Sequence, residues 1–209
     1  MSELRLGRRF ARLATNAVLT SPSLWRLFRR PLQLQFDRLA ERWDSLQSPQ
    51  NLRPLEAALG AVSPSPRRAL DLGAGNGRSA VAVARFFPDA EVVGVDLSPR
   101  MVEEAWRRLP DDLRERVSFR QADAADLPFG DEEFDLVSLA NMIPFFDELG
   151  RVVAPGGAVA LGFSRGAGTP IYVPPERLRR ELARRGFAEF AEFAVADGTA
   201  LLAHKPERA

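Results

Sequence analysis

The sequence predicts an α/β protein built on a doubly wound, mostly parallel sheet, and three observations carry that expectation. From Ala69 onward, short apolar runs alternate with amphipathic stretches of helical period, the pattern of strand–helix–strand units whose sheet is covered on both faces. The first run leads into a glycine-rich turn, "ALDLGAGNGRSA" (Ala69–Ala80), where side chains are excluded from a strand-to-helix connection. Near the end, "FAEFAVA" and "TALLAHK" flank Asp197-Gly198, a hairpin signal that adds one antiparallel strand.

Residues 1–62 read as an N-terminal helical extension and 63–209 as the main domain, joined through the Pro/Ser-rich stretch Ser63–Arg68. In the first segment Leu6, Phe10, Leu13 and Ala17 are expected on one helix face, with Arg5, Arg8, Arg9 and Arg12 on the other. Ser21-Pro22 starts a second helix with Leu24, Leu27 and Phe28, and Phe36, Leu39 and Trp43 extend the apolar stripe. After Ser48-Pro49, Leu52, Leu55 and Leu59 mark one more helix.

In the main domain the first strand is expected at Arg68–Leu72, followed by a helix over about 77–87 and a second strand at Glu91–Asp96. Ser98 caps the next helix with Pro99 at its first position. Strands follow at Val117–Gln121 and Phe134–Ala140, then a short helix from near Pro144 and a strand at Gly157–Phe163. Pro175–Gly186 reads as a helix ended by glycine, with Arg184 and Arg185 in its last turn.

Composition narrows the chemistry. The 209-residue chain has no cysteine and one histidine, which removes thiolate metal sites, thiol nucleophiles, multi-histidine zinc sites and most Ser-His triads. No metal site is predicted. The net charge of +1 hides an asymmetry, because residues 1–30 hold seven arginines (Arg5, Arg8, Arg9, Arg12, Arg26, Arg29, Arg30) against Glu3 alone. No apolar stretch approaches the roughly 20 residues of a membrane span, and the N-terminus lacks a secretory pattern. A cytoplasmic protein is expected. Three readings of the basic first helix stand open: packing on the domain, peripheral contact with an anionic membrane, and, least favoured for want of interleaved aromatics, contact with nucleic acid.

In an open α/β sheet the ligand crevice lies beyond the carboxyl ends of the strands. The loops expected there carry Asp71 with Gly73, Gly75 and Gly77, then Asp96, then Asp123-Ala124, then Asn141. A dinucleotide loop wants G-x-G-x-x-G facing a pyrophosphate, whereas here position 78 is arginine and the third glycine arrives one residue early. The spacing is tighter than a nucleotide phosphate loop requires. Asp96, 19 residues beyond Gly77, stands where an acidic side chain accepts from ribose hydroxyls.

"ALDLGAGNG", "VVGVDLS", "RQADAADLPF", "FDLVSLA" and "RVVAPGGAVAL", in this order, resemble the motifs of the class I S-adenosylmethionine-dependent methyltransferases. "FDRLAERWD" resembles the first helix of small-molecule members such as the quinone and sterol methyltransferases. The resemblance spans about 36–206 and implies a Rossmann-like seven-stranded sheet in the order 3-2-1-4-5-7-6, last strand antiparallel. It implies S-adenosyl-L-methionine as cofactor and assigns Gly73, Gly75 and Gly77 to close cofactor approach and Asp71 to support of the methionine ammonium. By the same resemblance Asp96 takes the ribose hydroxyls, Asp123 the adenine amine, Leu97 and Ala124 flank the adenine, and Asn141 lies near the methionine end.

The acceptor pocket is expected from Trp43, Met142, Phe145, Phe146 and Tyr172, all apolar or aromatic, so the acceptor is expected to be a small hydrophobic molecule. Asp44, Asn141, Asp147 and Tyr172 lie nearby, yet none has a partner that marks it as a catalytic base. His204 is expected at the far end of the last strand, in a structural role. The shortened acceptor region leaves one alternative, a non-catalytic cofactor-binding module that serves a regulatory or partner-binding role.

Overall fold

The computed structural model of the protein describes residues 2–208. Its seven strands are β1 (Arg68–Leu72), β2 (Glu91–Asp96), β3 (Val117–Gln121), β4 (Phe134–Ala140), β5 (Val153–Phe163), β6 (Ala188–Val195) and β7 (Gly198–His204). They form one sheet in the order β3-β2-β1-β4-β5-β7-β6. The pairs β1–β2, β1–β4, β2–β3 and β4–β5 are parallel, and β7 runs antiparallel to both β5 and β6. This is the order that the resemblance implies.

The central strands are buried on both faces, so their sequences are nearly continuous apolar runs. Ala69, Leu70 and Leu72 of β1 and Phe134, Leu136, Val137 and Leu139 of β4 are all buried. Strand β5 begins at Val153, earlier than the expected Gly157, because Val153 pairs with Phe134 ahead of an irregularity. Gly156, at φ +80°, makes the turn within that irregularity before Ala158 resumes pairing with Leu136. His204 pairs with Ala158 and Ala188, at the opposite end of the sheet from Phe163.

Helices α1 (Ser2–Thr20), α2 (Trp25–Leu39) and α3 (Arg53–Leu59) precede the sheet, and α4 (Arg78–Phe86), α5 (Pro99–Arg108), α6 (Phe146–Val152) and α7 (Pro175–Ala183) connect its strands. The expected cap of α5 forms: the Ser98 hydroxyl accepts from the Met101 amide at 3.1 Å. It also donates to Asp37 of α2 at 2.5 Å, tying the N-terminal helices to the sheet end.

Helix α3 lies on β5, β6 and β7, with Leu55 and Leu59 in the core. Gly162 makes this approach feasible, since a Cβ there would stand 2.9 Å from Leu55 Cβ and 3.0 Å from its backbone nitrogen. Gly162→Val is therefore expected to force α3 off the sheet and destabilise the fold by about 2 kcal/mol or more, read by urea unfolding. An unchanged midpoint would contradict this packing.

Helix α1 rotates differently from expectation. Phe10, Ala14 and Val18 face the domain, whereas Leu6 and Leu13 point outward at 70% and 60% exposure. Arg8 and Arg12 turn toward the protein, donating to the carbonyls of Ala167, Gly168 and Thr169 at 2.7–3.0 Å. The demand of these carbonyls and the small residues Ala11 and Ala14 set the contact face, overriding the leucine periodicity. The side chain of Arg5 lies outside the described residues.

Candidate functional site

The crevice lies at the carboxyl ends of β1, β2, β3 and β4. Leaving β1, the chain turns through Gly73, Gly75 and Gly77 at φ +68°, +54° and +90°, a left-handed conformation that glycine adopts without strain. The Ala74 amide donates to Val95 O at 3.0 Å, stitching the loop to β2. Beneath the loop Asp71 is fully buried and accepts from Ser79 of α4 at 2.5 Å and from Ser138 of β4 at 2.7 Å. Loss of hydration pushes its carboxyl up to about 7, against the pull of the two hydroxyls.

Asp96 closes the next corner. One oxygen accepts from the Gly75 amide and the other from the Ser98 amide, both at 2.9 Å, so this carboxylate holds the glycine loop and the start of α5 together. Burial raises its pKa to about 6, the two amides oppose that shift, and the charge of Asp37 adds to it.

The glycines differ in what their bare faces meet. A Cβ on Gly73 would fall 2.7 Å from Met142 Sδ, and one on Gly75 would fall 3.3 Å from Trp43 Nε1. In both cases the covering atoms are the ends of side chains, Met142 and Trp43. Gly77 does otherwise, because its Cβ would meet Phe119 at 2.8 Å and Ala105 at 3.2 Å. Its lack of a side chain serves helix–sheet packing and the left-handed start of α4.

Asp123, in the loop after β3, accepts from Trp25 Nε1 at 2.8 Å, from Arg29 at 3.3 Å and from the Ala125 amide at 3.0 Å. Leu97 is partly buried nearby and Ala124 is buried. A cleft of about 330 Å³ opens here between Arg29, Gln33, Leu97, Gln121, Ala122 and Asp123. Trp25 and Arg29 were absent from the sequence-derived site, since nothing local signals a contact across 98 and 94 residues. Asn141, at φ +53°, accepts from the Ser164 amide through Oδ1 at 2.9 Å and fixes the ends of β4 and β5.

Of the residues expected around an acceptor, Trp43, Met142 and Tyr172 remain partly exposed, Tyr172 standing edge-on to Phe163 at 5.4 Å. Phe145 and Phe146 sit deeper. Phe145 is buried edge-on against Trp25 at 5.0 Å, and Phe146 lies under the Arg185 guanidinium at 5.5 Å, so both are core residues. Asp44 is tied to Arg108 at 3.2 Å and to Asn76 at 3.1 Å, and Asp147 to Arg185 at 2.7 Å. Burial raises the Tyr172 hydroxyl above its usual range. None of the three is poised as a base. Among the described residues no group of three or more His, Asp or Glu side chains is placed to hold a metal ion.

Residues 69–157 match the methyltransferase domain family. The chain is 36% identical over 147 residues to trans-aconitate 2-methyltransferase of Methylobacterium radiotolerans, covering 66% of this chain and 52% of that protein. It is 43% identical over 109 residues to demethylmenaquinone methyltransferase of Clavibacter sepedonicus, covering 48% and 43% respectively. The chain thus spans about half the length of these curated relatives. Among solved structures, a TehB-like S-adenosylmethionine-dependent methyltransferase from Corynebacterium glutamicum superposes with a TM-score of 0.61 at 20% identity, over 82% of this chain and 98% of that one. Residues 69–157 thus match a methyltransferase domain, and the glycine turn, the two carboxylates at adjacent strand ends and the strand order agree with that match.

Proposed function

We propose that the protein transfers a methyl group from S-adenosylmethionine to a small hydrophobic acceptor. The observation that carries this reading is the convergence of Gly73, Gly75 and Asp96 on one corner: two bare Cα positions covered only by the ends of the Met142 and Trp43 side chains, beside a carboxylate already aligned by two backbone amides. This donor set fits a nucleoside linked to an amino acid. Asp96 would accept from the ribose hydroxyls, Leu97 and Ala124 would border the base, and Asp123 keeps acceptor capacity beside Trp25 for an exocyclic amine. Asp71 supports the methionine end indirectly, by holding the turn through Ser79 and Ser138.

The bound cofactor supplies an electrophilic methyl on a sulfonium. The protein then needs chiefly to hold the nucleophile in line and exclude water, effects worth up to about 7–11 kcal/mol for well-oriented reactants. Met142 and Trp43, over the glycine turn, and Tyr172 would supply apolar surface for that task, and no general base is required of a nucleophile that needs no deprotonation. We place the protein in the cytoplasm, with the basic helix α1 as a point of peripheral contact with a membrane. No helix among the described residues is long and apolar enough to cross one.

Calorimetry with the cofactor, followed by a panel of quinol, phenol and carboxylate acceptors with labelled cofactor, tests the reading. Transfer to one hydrophobic class is expected; binding without turnover on any acceptor favours a non-catalytic module. Cofactor affinity is also expected to fall as pH drops through about 6, where Asp96 gains its proton and loses acceptor strength toward hydroxyl donors. Affinity that stays flat between pH 5 and 8 would contradict the Asp96 assignment.

A further inference from the structure

Helices α1 and α2 run antiparallel, with Gly7 against Gln35 and Phe10 against Phe28 at 5.7 Å. Their inner side is committed to the protein: Trp25 and Arg29 hold Asp123, Asp37 holds Ser98, and Ala14, Val18, Trp25 and Leu32 are core. Their outer side has a different composition. It presents Leu6, Leu13, Leu27 and Leu34 at 70%, 60%, 68% and 47% exposure, interspersed with exposed Arg9, Arg26 and Arg30.

From Leu6 to Phe36 the sequence contains no acidic residue. Arg9, Arg26 and Arg30 make no side-chain hydrogen bond or ion pair with any described residue, unlike Arg8, Arg12 and Arg29 on the inner side. Four solvent-facing leucines on one helix pair exceed what scattered surface apolar residues need, and uncompensated guanidinium groups around them select a negatively charged partner.

We propose that the outer side of the α1–α2 hairpin docks on an anionic phospholipid surface, the leucines entering the headgroup–acyl boundary and Arg9, Arg26 and Arg30 meeting lipid phosphates. This deepens the peripheral-contact reading of α1, extends it to α2, and does not depend on methyl transfer. Nucleic acid is disfavoured by the orientation of the aromatics. Phe10, Trp25 and Phe28, which would have to stack on bases, are all drawn toward the protein, whereas leucine gains nothing from a phosphate backbone.

The test is sedimentation of the full chain with phosphatidylcholine vesicles and with phosphatidylcholine–phosphatidylglycerol vesicles. Partitioning at least tenfold stronger to the anionic vesicles is expected. The double variant Leu13→Glu/Leu27→Glu should lose it, and Arg26→Gln/Arg30→Gln should weaken it by roughly fivefold per arginine while flattening the salt dependence. Because all four side chains are exposed, circular dichroism melting curves should match the parent, which separates lost docking from lost folding. Equal behaviour with both vesicle types, parent-like sedimentation of the leucine variant, or tight binding to single-stranded RNA with none to vesicles would overturn the proposal. None of these outcomes involves the cofactor, so they leave the methyltransferase reading to its own experiment.

Discussion

Asp96→Ala is expected to lower affinity for S-adenosylmethionine by about a hundredfold or more while leaving the fold intact. The carboxylate makes two charge-assisted bonds, to the Gly75 and Ser98 amides, and bonds to charged groups contribute about 1.5–3 kcal/mol each. Removing it frees the glycine loop from α5 and deletes the acceptor proposed for the ribose hydroxyls, so both positioning and binding suffer. Asp96→Asn offers a sharper comparison. Its amide can satisfy one backbone donor but turns a second donor against the other, so an intermediate loss is expected by calorimetry. A Kd for Asp96→Ala within a factor of three of the parent would remove Asp96 from the site.

The second large effect is on stability. Asp71 has its pKa raised from the usual carboxylate value to about 7 by burial, so between roughly pH 4 and 7 the native state holds a proton that the unfolded chain has released. Stability tied to this group is therefore fully present at low pH and lost as pH rises through about 7. The gap corresponds to about 4 kcal/mol at most, since each pKa unit is worth about 1.4 kcal/mol. Asp96, raised to about 6, adds a smaller decline of the same sign.

Asp71→Asn has no proton to lose and keeps the shape between Ser79 and Ser138. The difference in unfolding free energy, parent minus variant, is expected to fall steadily from pH 4 to pH 8, and the variant should be the more stable above pH 7. A difference that is flat over this range would contradict a buried, strained carboxylate at Asp71. A cationic ligand in the crevice would offset the cost of that charge, which gives a physical reason for burying it beneath the glycine turn.

Much of this architecture was legible because local signals and global demand agreed. Strands β1, β2, β3 and β4 begin and end at the expected residues, since each is a short apolar run bounded by turn chemistry, and Ser98 caps its helix as Ser-Pro predicts. The glycine turn was visible, but which crevice face each glycine serves was not: Gly77 packs on Phe119, a residue of β3 far along the chain. That Phe145 meets Trp25 and Phe146 meets Arg185 is likewise invisible in their position after β4. The rotation of α1 departs from its leucine periodicity because two arginines, polar by type, face the protein to satisfy three loop carbonyls. Each miss is a tertiary contact that no local period encodes.

Titration of the chain with S-adenosylmethionine, in parallel with Gly75→Val, measures the central claim most directly. At φ +54°, with Trp43 Nε1 3.3 Å from the position of a Cβ, a branched side chain at Gly75 would be strained and would crowd Trp43 at the proposed cofactor face. One-to-one binding by the parent and loss of at least a hundredfold in the variant are predicted. Absence of binding by the parent, or equal binding by both proteins, would contradict the account.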